Sequence, residues 1–214
     1  WIAVVRIFRY LKGSADLKLT YRKMTSDPAP LMYGYTDADW ATSDIDKRRS
    51  VLGFVLFLSG GAIVWLTKFG LVCLSIFESE YSSLKELAKT AVAARHLLEE
   101  LPLSWITQNA THPTTLLTDS LASQQVSNNP KYHARTKHME IAEHWIQQVI
   151  RQGHVRVQHI DRKFNLADMM VKALTKSEFR YWLPSLMGPF QELEIKPTAG
   201  EVLAKRKRVN FENV

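Results

Sequence analysis

Leu31-Met32-Tyr33-Gly34-Tyr35-Thr36-Asp37-Ala38 decides how the rest of the chain is read. It is an apolar, strand-like run that carries a carboxylate near its end, and a carboxylate there is costly without a partner or a metal ion. Asp39 lies on the same face by strand periodicity and competes with Asp37 for any role at this place. Downstream, strand patterns over 51–58 and 62–67 surround a Gly60-Gly61 turn, with a polar loop over 42–50 before them. The region from residue 31 is therefore predicted to open as an antiparallel meander.

Outward from the meander, residues 71–76 read as a further strand and 78–101 as a long helix, with Tyr81, Leu84, Leu87, Ala91 and Leu98 at helical spacing. A buried strand over 114–118, helices over 120–126 and 140–152, a strand over 154–160 and a helix over 166–174 follow. Strands first, then alternating helix and strand, predict an α/β fold in which helices pack on a mixed sheet. On the N-terminal side, a helix over 1–13, a short strand over 17–21 and a connector through Pro28 and Pro30 form an extension. The expected division is thus 1–30 as extension, 31–187 as the principal domain, and 188–214 as a flexible basic tail containing Lys205-Arg206-Lys207-Arg208.

Composition narrows the function classes. A chain of 214 residues, 46% hydrophobic, can bury one good core. The single cysteine, Cys73, excludes a disulfide framework or a cysteine-based zinc site, and fits an intracellular, reducing compartment. No apolar run approaches the roughly 20 residues of a membrane span. The chain begins at Trp1 already in helical pattern, as expected of a piece of a longer polypeptide. A formal charge of +7 and a pI near 9.5 favour a polyanionic partner, although a basic surface kept for solubility has the same composition.

Hydrolysis of a phosphodiester calls for an activated water, a stabilised leaving oxygen and neutralised charge, which two magnesium ions about 3.5–4 Å apart can supply. Magnesium takes hard oxygen ligands, so converging acids are the feature to seek. Asp37 is the strand acid. Glu80 falls early in the long helix near its apolar side, whereas Glu78 suits a first-turn charge favouring the helix dipole. Asp119 stands where a buried strand meets a helix, as a ligand group or as an N-cap. Asp168 lies among Leu166, Ala167, Met169 and Met170, as a functional acid or an exposed helix residue.

In this order the motifs resemble the ribonuclease H domain of copia-type retrotransposon polyproteins. The resemblance is carried by Gly34-Tyr35-Thr36-Asp37-Ala38-Asp39-Trp40, Lys47-Arg48-Arg49-Ser50-Val51-Leu52-Gly53-Phe54, Glu78-Ser79-Glu80-Tyr81, Leu117-Thr118-Asp119-Ser120, His133-Ala134-Arg135-Thr136-Lys137-His138 and Leu166-Ala167-Asp168. Residues 1–21 resemble the end of the preceding reverse-transcriptase region. The resemblance implies a ribonuclease H-like fold, a five-stranded mixed sheet flanked by helices, with Asp37, Glu80, Asp119 and Asp168 holding two Mg2+ ions, or Mn2+ in their place. It also implies cleavage of the RNA strand of an RNA–DNA hybrid, with the rest of a reverse-transcriptase polyprotein as partner and no membrane. A cytoplasmic virus-like particle or the nucleus is the implied location.

Arg135, Thr136, Lys137 and His138 offer donors suited to a phosphate backbone. His159 lies near the place of an accessory histidine in other ribonucleases H, but its expected position on a strand leaves it without an assigned role. Ser75-Ile76-Phe77 before the helix acids and Val171-Lys172-Ala173-Leu174 after the last acid depart from the usual family pattern. Those departures keep open an inactive copy serving as a structural or nucleic-acid-binding module. A DNA-cutting transposase or integrase is the third reading, against which the peptide over 132–138 and the N-terminal region count.

Overall fold

A computed structural model describes residues 1–21, 32–40, 49–70, 72–102, 112–129 and 137–187. The meander comprises β1 (Met32–Asp39), β2 (Val51–Leu58) and β3 (Gly61–Phe69), antiparallel throughout, with Asp37 opposite Gly53 in the β1–β2 register. The turn after β2 holds Ser59 and Gly60 at positive φ, a conformation suited to a tight hairpin. Next come α2 (Ile76–Glu100), β4 (Thr114–Thr118), α3 (Leu121–Asn128), α4 (Lys137–Arg151) and β5 (Val155–His159). β4 runs parallel to β1, and β5 parallel to β4, because helical crossovers connect them. The strand order β3-β2-β1-β4-β5 is the five-stranded mixed sheet, flanked by helices, that the ribonuclease H resemblance implies. α1 (Ile2–Gly13) precedes the sheet as the expected helical extension.

Alternation of side chains across the strands divides the core into two layers. Phe54, Leu56 and Leu116 pack with Tyr81, Leu84 and Leu87 of α2 and Ile146 of α4. Val55, Phe57 and Leu117 turn the other way, onto Leu166, Ala167 and Trp182. Tyr81, Leu84 and Leu87 are fully excluded from solvent, and such burial stabilises by about 1.5–3 kcal/mol for each large apolar side chain. β1, central and covered on both faces, is buried from Met32 to Ala38.

Three local expectations fail. Residues 17–21 form no strand: the Thr20 amide donates to the Met187 carbonyl at 3.2 Å and the Tyr21 hydroxyl to the Ala62 carbonyl at 3.0 Å, in place of ladder pairing. Residues 72–75 form no strand either, because Ser75 caps α2 by accepting from the Glu78 amide at 3.1 Å while the Glu78 carboxylate accepts from the Leu74 amide at 2.7 Å. That reciprocal cap starts the helix earlier than its apolar periodicity alone shows. The helix expected over 166–174 is a single turn, α5 (Asp168–Val171), followed by an unforeseen α6 (Lys176–Met187) that contains Pro184. The tail over 188–214 lies outside the described residues. Among the described residues, no helix is long and apolar enough to cross a membrane.

Candidate metal centre and active site

Parallel pairing brings the first two acids together. Thr36 of β1 stands in register with Thr118 of β4, so Asp37 and Asp119 follow at the same edge of the sheet. Asp119 is half-buried and is not the N-cap of α3; Ser120 takes that place by accepting from the Ser123 amide at 3.2 Å. The Thr36 hydroxyl donates to Ser83 Oγ at 2.8 Å, and Ser83 Oγ donates to the Gly53 carbonyl at 3.1 Å. This buried pair pins α2 against β1 and β2 one turn after Glu80. Carboxylate oxygens of Asp37, Glu80 and Asp119 consequently all lie within 4.8 Å of one another.

Asp37 and Glu80 are 1% and 7% exposed, which makes their charges expensive. Burial, a hydrogen bond shared with Asp168 and the Asp119 charge push the Asp37 carboxyl up to about 7, against the opposing pull of Lys172. Burial and the charges of Asp37 and Asp119 push Glu80 up to about 9. Glu80 Oε2 is buried with no hydrogen-bond partner among the described residues. An orphaned carboxylate oxygen beside two further acids is the donor set a hard divalent cation fits.

Asp168 is the first residue of α5 and stands outside that three-acid cluster. It reaches the site directly, through its hydrogen bond with Asp37, and through Lys172, whose Nζ donates to Asp37 Oδ2 at 3.0 Å and also to Asp168 Oδ1. Burial acts to raise the Asp168 carboxyl, but hydrogen bonds with Asp37 and Lys172 outweigh it and hold the group below its ordinary range. α5 can approach β2 because Gly53 has no side chain: a Cβ there would meet Val171 Cγ1 at 2.5 Å and Met170 Cβ at 2.7 Å.

Asp39 ends β1 half-buried and outside the cluster, so Asp37 is the strand acid that meets the others. Glu78 serves the helix cap. His159 is exposed at the end of β5, in register with Thr118. Arg135 and Thr136 lie outside the described residues, while Lys137 and His138 contribute backbone to the first turn of α4.

Two further residues were not singled out as members of the site. Lys172 is one; its spacing of four from Asp168 suits an ion pair, but nothing local signals its contact with Asp37. Asn165 is the other, and it is fully buried. Its Nδ2 donates to the Thr36 carbonyl at 3.0 Å and to Asp119 Oδ1 at 3.3 Å, while its Oδ1 accepts from the Ala167 amide at 3.2 Å. One amide thus ties the ends of β1 and β4 to the segment leading into Asp168.

The chain is 36% identical over 180 residues to the retrovirus-related Pol polyprotein from transposon TNT 1-94 of Nicotiana tabacum, covering 84% of this chain. It is a homologue of copia-type retrotransposon Pol polyproteins. A second Pol relative, from transposon RE2 of Arabidopsis thaliana, is 28% identical over 204 residues, or 95% of this chain. The chain spans 13% of the length of each of these two Pol polyproteins. No family model matches it. Among solved structures it is similar to LC11-RNase H1, isolated from compost, with 15% identity and a TM-score of 0.49 over 67% of this chain and 94% of that one.

Proposed function

We propose that this chain is an endonuclease that hydrolyses the RNA strand of RNA–DNA hybrids during reverse transcription of a retrotransposon, with Asp37, Glu80, Asp119 and Asp168 as its catalytic, metal-holding residues. One observation carries the reading: Glu80 Oε2, without a hydrogen-bond partner among the described residues, is buried in a cluster whose other acids arrive from the ends of separate strands. Burying such a group as a carboxylate is costly unless a cation is its partner, and without one it keeps its proton. Two Mg2+ ions, or Mn2+ in their place, would be held by the four acids, and when bound they activate water and neutralise charge on the phosphate and leaving oxygen. The chain's own part is to hold the oxygens at one sheet edge, with Asn165 and Ser83 fixing the elements that carry them.

The +7 chain favours a phosphate polyanion, and Arg135, Thr136, Lys137 and His138 are proposed to contact the hybrid backbone. We assign 31–187 to the nuclease, 1–30 to the end of a reverse-transcriptase region, and 188–214 to a flexible basic tail. The remainder of the polyprotein is the proposed partner, in a cytoplasmic virus-like particle or the nucleus.

The test is cleavage of labelled RNA, in a hybrid and alone, by the wild type and Asp119→Asn with Mg2+ or Mn2+. Hybrid-specific cleavage should fall by on the order of a hundredfold or more in the variant, because several kcal/mol of charge stabilisation depends on the ligand set. Circular dichroism should remain that of the wild type. An unchanged rate rejects the assignment. The Lys172 ammonium standing against two of the acids favours a second reading, an inactive module. Hybrid binding without turnover at any concentration of either metal would establish that reading.

A further inference from the structure

Asp37 has two sets of neighbours. Glu80 and Asp119 form one, with carboxylate oxygens within 4.8 Å and, among the described residues, no side chain hydrogen-bonded to Glu80 Oε2. Asp168 forms the other, and there a cation is already present: Lys172 Nζ, 3.0 Å from Asp37 Oδ2 and bonded to Asp168 Oδ1. Resting on the nuclease reading above, we propose that Lys172 is a tethered counter-cation of the metal-free site. Lys172 would have to leave Asp37 and Asp168 before that pair could hold a divalent ion, whereas on the other side Lys172 touches Asp37 but hydrogen-bonds neither Glu80 nor Asp119, so that half would fill against less competition.

Four physical points support this. Asp37 and Asp168 repel when both are charged, and the side chain of Asp37 is only 2% exposed, so the pair needs a cation in every state in which both are ionised. An ammonium and a divalent ion compete for the same carboxylate oxygens, because a unit and a double positive charge held a few ångströms apart repel strongly wherever water does not screen them. Lysine suits a displaceable ion better than arginine: it is a point charge on a flexible stem and makes no bidentate fork. The Lys172 side chain is 27% exposed, which gives the displaced ammonium a way into water. The consequence is ordered loading, in which the half-site under Lys172 binds more weakly and sets the divalent concentration at which the site becomes complete.

Calorimetric titration of the whole chain with Mg2+, repeated with Mn2+, tests this on the wild type and Lys172→Met, which keeps a stem of similar length without the charge. Two events are expected in the wild type. The weaker should tighten about tenfold in the variant, equivalent to about 1.4 kcal/mol, with the tighter one changed much less. In nitrogen-15 spectra the Lys172 ammonium should be observable in the metal-free protein and be lost to solvent exchange as the second equivalent binds. Lys172→Gln serves as the second variant should the methionine protein fail to fold.

Equal tightening of both events would show a long-range field in place of displacement, and would overturn the proposal. An unchanged weaker event would overturn it too, while leaving the nuclease reading intact because metal still binds. Absence of divalent binding in wild type and variants alike would remove both.

Discussion

At the scale of single residues, the acids that make the candidate centre also oppose its folding. Asp37 is raised to about 7 by burial, its hydrogen bond with Asp168 and the Asp119 charge, and Glu80 to about 9 by burial and the charges of Asp37 and Asp119. The folded protein therefore keeps protons that the unfolded chain has released above about pH 4–5. Where the native state binds more protons, stability falls as pH rises; the losses extend through the folded values of about 7 for Asp37 and about 9 for Glu80. In chelator, the melting temperature is expected to decline across this window, with a shallower decline in the Asp37→Asn, Glu80→Gln double variant. Mg2+ should restore more stability at the alkaline end, since it requires unprotonated ligands. Melting curves that respond to pH identically in both proteins would contradict this. The acids were legible from residue type and setting, whereas Asn165 was not: a buried amide announces itself only when its partners, the Thr36 carbonyl and the Asp119 carboxylate, are brought to it from distant strands.

At the scale of elements, the approach of α5 to β2 determines whether Asp168 joins the site. Gly53 faces Asp37 in the strand register, and a Cβ there would collide with Val171 and Met170. Gly53→Ala is expected to push α5 outward, lower stability by about 1–3 kcal/mol and reduce hybrid cleavage more than tenfold as Asp168 withdraws. Gly13→Ala is the control, since a Cβ at the end of α1 meets nothing within 4 Å. Urea unfolding and cleavage rates measured on both variants decide the matter, and wild-type values for Gly53→Ala would refute the packing argument. Bounds of β2 and β4 follow directly from sequence pattern, because apolar runs bounded by polar or turn residues leave little choice of period. The run over 71–76 misleads for the converse reason: its apolar residues lie next to the Ser75 and Glu78 cap, and capping chemistry overrides a short strand-like pattern.

At the scale of the whole molecule, α1 is an appendage. None of its residues is buried, Ile2 and Phe8 are 74% and 67% exposed, and among the described residues Tyr10 meets Phe179 edge-on at 6.0 Å. Deleting 1–13 is expected to shift the melting temperature by no more than about 4 °C, equivalent to about 1 kcal/mol for a chain of this size. A much larger loss in differential scanning calorimetry would make α1 part of the folding unit. The segment after it is different, since Thr20 and Tyr21 bond to Met187 and Ala62. What the amino-acid sequence determined by itself was local or additive: the α/β class, the meander, the long helix, the basic charge and the acids suited to a hard cation. Such features depend on side-chain chemistry and short-range periodicity, which survive reading one residue at a time. Tertiary structure alone decided that Asp37, and not Asp39, meets Glu80 and Asp119, that Asn165 joins two strand ends, and that Lys172 stands between Asp37 and Asp168. Those contacts depend on strand register and on how closely elements approach, quantities set by packing across the sheet.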